Sequence, residues 1–153
     1  MPTGVGSLES KTSGSLVLFG AAAYLAFSFS CLAFNANLAS STSSGTALQI
    51  WAEALVVVVL GVALVVSGAL IGLDRWPSYA GALGAFASIL GALLIISYYL
   101  TAASVGINNA SAGASASLID IGTIIALFVG FPIGFMGSFG GLWKAEQDNA
   151  VSA

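Results

Sequence analysis

The stretch LIGLDRWPSYAG, residues 70–81, holds Arg75, the only basic residue between Lys11 and Lys144. Long apolar runs flank it, at about 50–73 on one side and about 79–107 on the other. Pro77 cannot continue a preceding helix because its ring removes a donor and crowds the turn before it. Asp74, Arg75 and Trp76 stand beside it, where charge and an amphipathic ring suit a membrane boundary. The stretch therefore reads as a tight turn at the bilayer surface joining two membrane-spanning helices.

Two further apolar runs lie outward from this hairpin, at 16–34 and 118–142. Each of the four runs is long enough for a hydrocarbon core of roughly 30 Å, which takes about 20 helical residues. In lipid every backbone polar group must be paired internally, which leaves helices or closed barrels. A barrel strand alternates over about ten residues, and LVVVVLGVALVV (55–66) does not alternate. Composition agrees: charged residues make up 6% of the chain, against about 25% in soluble domains. The expected fold is an all-α integral membrane protein, a four-transmembrane-helix bundle forming one membrane domain over 1–153, with tails at 1–15 and 143–153. Helix 1, an apolar run of 19 residues, exceeds the usual 7 to 15 of a signal peptide and is expected to be retained.

With four crossings, Lys11, Arg75 and Lys144 fall on one side. The other two connections, NANLASSTSSGTALQ (35–49) and VGINNASAGASAS (105–117), carry no charge. The positive-inside rule places both termini and the Asp74–Arg75 turn in the cytoplasm. Trp76, Tyr79 and Trp143 are expected at the inner boundary, and Trp51, Tyr98 and Tyr99 at the outer one. A shift of 69 residues lays GALIGLDR (68–75) on GSFGGLWK (137–144), a short self-similarity of the kind left by parallel membrane repeats. The topology does not depend on it.

Small residues form stripes. Gly130, Gly134, Gly137 and Gly141 share one face of helix 4; Gly81, Gly84, Ser88 and Gly91 share one of helix 3; Gly61, Gly68 and Gly72 lie along helix 2. Lipid supplies no hydrophobic drive for helix association, so close backbone approach must provide the contact energy. Phe128, Phe131, Phe135 and Phe139 make a neighbouring ridge expected to meet lipid or a partner, and Pro132 is expected to bend helix 4.

Of Glu53, Asp74, Arg75 and Asp120 between the tails, Glu53 and Asp120 are the candidates for intramembrane chemistry, and an intramembrane carboxylate is a functional hypothesis by default. Both fall in the N-terminal part of a helix, where the macrodipole favours negative charge. Thr46–Gln49 and Ser117–Asp120 resemble capping boxes, so capping competes with a shared ion or proton site at the outer mouth. Asn109, in Asn109-Ala-Ser111, is an N-glycosylation sequon on the expected outer side.

Other chemistry is scarce. With no His and one Cys, Cys31, conventional zinc sites, His-ligated haem and Ser–His or Cys–His pairs are excluded. No basic patch suits nucleic acid, and no cofactor or metal is implied. The leading expectation is a non-catalytic structural or accessory subunit of a larger membrane assembly, held by glycine-mediated packing. Its expected partners are the lipid bilayer and other membrane subunits or further copies of itself. A small-solute or ion channel or transporter using Glu53 and Asp120 is the first alternative. The middle hairpin around GLDRWPS is similar in outline to conjugative pilins, two helices about a short charged turn, here with two spans added. That outline implies a second alternative, a self-assembling coat or pilin-like filament subunit.

Overall fold

A computed structural model of the chain describes residues 3–38, 44–104 and 121–152. They form four helices: α1 (Thr3–Leu38), α2 (Ser44–Gly72), α3 (Pro77–Ser104) and α4 (121–152). Each contains a segment long and apolar enough to cross a bilayer, within Ser10–Leu32, Trp51–Gly72, Pro77–Thr101 and Ile121–Gln147. This is a multi-pass membrane protein. The helices run up and down in a square, α1 packing on α2 and α4 and α3 packing on the same two, while the diagonal pairs touch little.

The distribution of side chains suits a lipid surround. Large apolar residues such as Phe19, Val59, Phe86 and Leu93 point outward, while the interior contains Gly, Ala and Ser alongside a few larger groups. In water this pattern would be unfavourable; in a bilayer the outward residues meet their own kind, and the small inward residues let helices approach.

Buried positions recur every three and four residues: Ser10, Gly14, Val17, Ala21, Tyr24, Ser28 and Cys31 in α1; Ala54, Val57, Gly61, Leu64, Gly68 and Ile71 in α2; Gly81, Gly84, Ser88, Gly91, Ile95 and Tyr98 in α3. Such a seven-residue repeat belongs to left-handed packing. Three of the seam glycines, Gly14, Gly68 and Gly81, meet backbone of the facing helix. A methyl group on Gly14 would lie 2.7 Å from the Gly68 carbonyl and from the Gly72 nitrogen, and one on Gly81 would lie 2.8 Å from the Ser138 carbonyl. Gly72 differs from the rest of its stripe: a methyl there would meet nothing within 4 Å, although its backbone receives Gly14.

Helix α4 departs from the repeat. Its buried positions Ala126, Gly130 and Gly134 are four apart twice in succession. Eight α-helical residues overshoot two turns by about 80°, so a continuous α-helix would rotate the stripe off the seam. A π turn at Ala126–Gly130 absorbs the excess, with the Phe131 N–H donating to the Ala126 carbonyl five residues back. The turn sits directly before Pro132, which lacks an N–H for the Phe128 carbonyl. The bend expected at Pro132 thus takes the form of one widened turn.

Helix continues beyond the apolar runs, from Thr3 in the first tail and through Ser152 in the last. Ser10 and Gly14 already belong to the α1 seam, so packing extends this helix past its most apolar part. Tyr98, expected at the outer boundary, is fully buried and meets Phe27 edge-on, with ring centroids 5.7 Å apart. Three residues after Ile95, it occupies the seam of α3 rather than its lipid face. Trp76, Tyr79 and Trp143 are exposed, as boundary residues are. Asn109 and Asp120 lie outside the described residues.

The opening stretch forms a Schellman turn. The Arg75 N–H donates to the Leu70 carbonyl at 2.9 Å and the Asp74 N–H to the Ile71 carbonyl at 3.1 Å. Asp74 takes the left-handed position usually given to glycine, with φ 58°. Its carboxylate accepts from the Lys144 ammonium and from the Ser10 hydroxyl, the latter at 2.6 Å, and Lys144 also donates to Ser10. One clasp thereby joins the start of α1, the α2–α3 turn and the last part of α4. A cleft of about 150 Å³ between Ser13, Pro77, Gly140 and Trp143 opens beside it.

Partial burial pushes the Asp74 carboxyl up, but the hydrogen bonds from Lys144 and Ser10 and the charge of Lys144 outweigh this and hold it below its ordinary 3.8. A lowered carboxyl stabilises the fold above its unfolded value and loses that contribution as pH falls through the folded one. Thermal stability should therefore be level near neutral pH and decline below about pH 4. Asp74→Asn, which keeps a side chain tolerant of positive φ, should be less stable at neutral pH and lack the part of the acid decline due to Asp74. Because the carboxylate side is 44% exposed, the expected loss is about 0.5–1 kcal/mol. Identical melting-against-pH curves for the two proteins would remove the clasp as a stabilising feature.

Candidate functional site

At the opposite end from the clasp, Glu53 lies two residues inside the apolar segment of α2, after Trp51. The described part of this helix runs from Ser44 and includes Thr46. Gln49, four residues before Glu53 on the same face, turns forward: its Nε2 donates to Glu53 Oε1 at 3.2 Å. Ser97 of α3 donates to the same oxygen at 3.0 Å. The second oxygen, Oε2, is closed off from solvent and has no hydrogen-bond partner. Glu53 is thus no cap. It ties α2 to α3 through one oxygen and leaves the other unsatisfied.

Behind this carboxyl is a polar seam. Tyr98, the residue after Ser97, feels the charge of Glu53 and shares a hydrogen bond with the thiol of Cys31 on α1. Cys31 is a free, buried cysteine. Three helices therefore contribute Gln49, Glu53, Ser97, Tyr98 and Cys31 to one end of the bundle. The expected pairing of Glu53 with Asp120 involves a residue outside the described ones. Ser97, Tyr98 and Cys31 are additions, and the only sign of them in the sequence was that polar residues interrupt apolar runs.

Further in, the bundle axis is filled. Tyr24 donates to the Ser88 carbonyl at 2.6 Å and Ser67 to the Ala80 carbonyl at 2.6 Å, while Ser138 bonds back to Gly134 at 2.8 Å. The hydroxyls of Ser67 and Ser138 converge on the space over Gly84. Every one of these side chains is buried. Among the described residues, no group of three or more His, Cys, Asp or Glu side chains comes together to hold a metal.

Outside the seam, Phe131, Phe135 and Phe139 form a ladder with centroid spacings of 5.7 and 6.4 Å, while Phe128 is exposed one turn earlier. Beside the π turn an apolar groove of about 310 Å³, lined by Ile96, Tyr99, Thr123, Leu127 and Phe128, separates α3 from α4. Comparison with protein-family models, curated proteins and solved structures found no match to this chain.

Proposed function

We propose that the chain is a non-catalytic structural or accessory subunit of a larger membrane assembly. The observation that carries this reading is a bundle axis occupied by Tyr24, Ser67, Ser88, Tyr98 and the glycine contacts. This interior is spent on holding four helices together. The glycine stripes serve the same end, so contact with other subunits falls to the outward apolar faces, among them the phenylalanine ladder of α4. Conduction is the second reading, favoured by the unsatisfied oxygen of Glu53. It requires a route past a filled axis.

The orientation proposed with this role has both termini and the clasp in the cytoplasm, because Lys11, Arg75 and Lys144 sit at or beside the clasp end. Native mass spectrometry of the protein extracted from its own membrane in mild detergent should show a stoichiometric complex well above the 15.2 kDa of one chain. Recovery of the single chain alone, or a flux in proteoliposomes abolished by Glu53→Gln, would move the assignment to the conductor. In sealed cells, Ser78→Cys should resist an impermeant thiol reagent; labelling there would reverse the orientation.

A further inference from the structure

We infer that Glu53 is a proton-binding site, a carboxyl that takes up and releases a proton at the mouth of the bundle opposite the clasp. The argument begins with charge. The chain has three Lys and Arg residues and no His. Lys144 is in the clasp, and Lys11 and Arg75 adjoin its other members, Ser10 and Asp74. No Lys or Arg side chain of this protein is therefore placed to pair with Glu53.

The neighbouring geometry leaves Oε2 as the open position. Ser97 and Gln49 both donate to Oε1, and among the described residues no group of three or more His, Cys, Asp or Glu side chains comes together to hold a metal. Oε2 has neither donor nor solvent contact. A buried oxygen without a donor is an unmet hydrogen-bonding position, and buried polar atoms in folded proteins are nearly always paired. Oε2 is the atom that receives the proton. Among the described residues, the titratable groups facing it are Tyr98 on α3 and, beyond Tyr98, Cys31 on α1. Proton exchange changes the charge at the point where α2 meets α3, so occupancy would alter how firmly that end is held. This inference does not depend on the assembly reading: an accessory subunit and a conductor can each carry such a site.

The test uses the full chain in phosphatidylcholine vesicles with dicyclohexylcarbodiimide, an apolar reagent that adds to protonated carboxyls in membranes. Peptide mapping should place an adduct on Glu53, with a rate that falls about tenfold per pH unit once the carboxyl is ionised. Sodium and potassium should leave the rate unchanged. Ser97→Ala removes one donor that favours the ionised form, so its labelling should persist to higher pH, a shift that a purely structural serine would not produce. Glu53→Gln should lose this adduct while any at other carboxyls remains. Protection by sodium or potassium would replace the proton with a cation. A rate independent of pH, or no Glu53 adduct in wild type or Ser97→Ala, would overturn the proposal. Neither result would bear on the mass of the native complex, so the two readings fail separately.

Discussion

Gly137→Ala and Gly20→Ala should each lower the stability of the bundle by about 1–3 kcal/mol, the usual cost of overpacking a tight contact. A methyl on Gly137 would stand 2.6 Å from the Ser13 carbonyl, with Val17 and Leu16 side chains within 2.9 Å. One on Gly20 would stand 2.8 Å from the Gly134 Cα and 2.9 Å from the Gly130 carbonyl. Both obstacles include backbone, so relief requires α1 and α4 to move apart along their length. Gly134→Ala should be milder, because its nearest neighbour is the Ser88 hydroxyl at 3.2 Å. Leucine at Gly134 is too large for the same space and should break the contact. Gly72→Ala is the control. Nothing lies within 4 Å of its added methyl, and alanine is the better helix former by up to about 1 kcal/mol. It should be neutral or slightly stabilising. Thermal unfolding in mild detergent, at matched expression and insertion, separates these cases. Equal melting points for Gly137→Ala and Gly72→Ala would show that the α1–α4 seam is not a close contact.

Tyr24→Ala should cost about 3–5 kcal/mol, as truncation of a large buried aromatic does, and Tyr24→Phe about 1 kcal/mol for a net hydrogen bond. Tyr24 has no exposed surface and its hydroxyl crosses from α1 to the Ser88 carbonyl of α3. Its ring fills the space between Gly91 of α3 and Gly130 of α4, so three helices lose a shared contact at once. The arrangement also predicts coupling. A methyl at Gly91 runs into the Tyr24 ring, so Gly91→Ala should destabilise wild type but be tolerated in Tyr24→Ala. A double-mutant cycle measures this directly, since contacting residues couple by about 0.5–3 kcal/mol. Additive effects would mean that ring and glycine do not meet.

These two sites show where reading the chain succeeds and stops. The stripe at Gly130, Gly134, Gly137 and Gly141 was legible as a packing surface because small-residue spacing is a property of one helix. That Gly137 meets Ser13 and that Gly20, in no stripe, meets Gly134 was not, because facing partners depend on how each helix is rotated about its own axis. Glu53 stood out as an ionisable residue in an apolar run. Its partner Ser97 lies 44 residues away and looked like any serine in a span. Tyr98 was misplaced for the same reason: near a helix end an aromatic ring suits a boundary belt as well as a seam, and only the rotation of α3 chooses. The π turn was half legible, as a proline in a helix; its widened form answers the need to keep Gly130 and Gly134 on one seam.

By itself the sequence determined the solvent and the number of crossings, since the bilayer sets segment length and polarity residue by residue. It also determined that the three basic residues share one side, which follows from counting crossings. Tertiary structure alone decided which glycines touch backbone, which hydroxyl reaches Glu53, and that Ser10, Asp74 and Lys144 form one clasp across 64 to 134 residues of sequence. In lipid no apolar face is favoured over another by burial from water. The rotation of each helix is therefore set by the fit of small residues and the pairing of a few polar groups across the bundle, and neither can be evaluated one helix at a time.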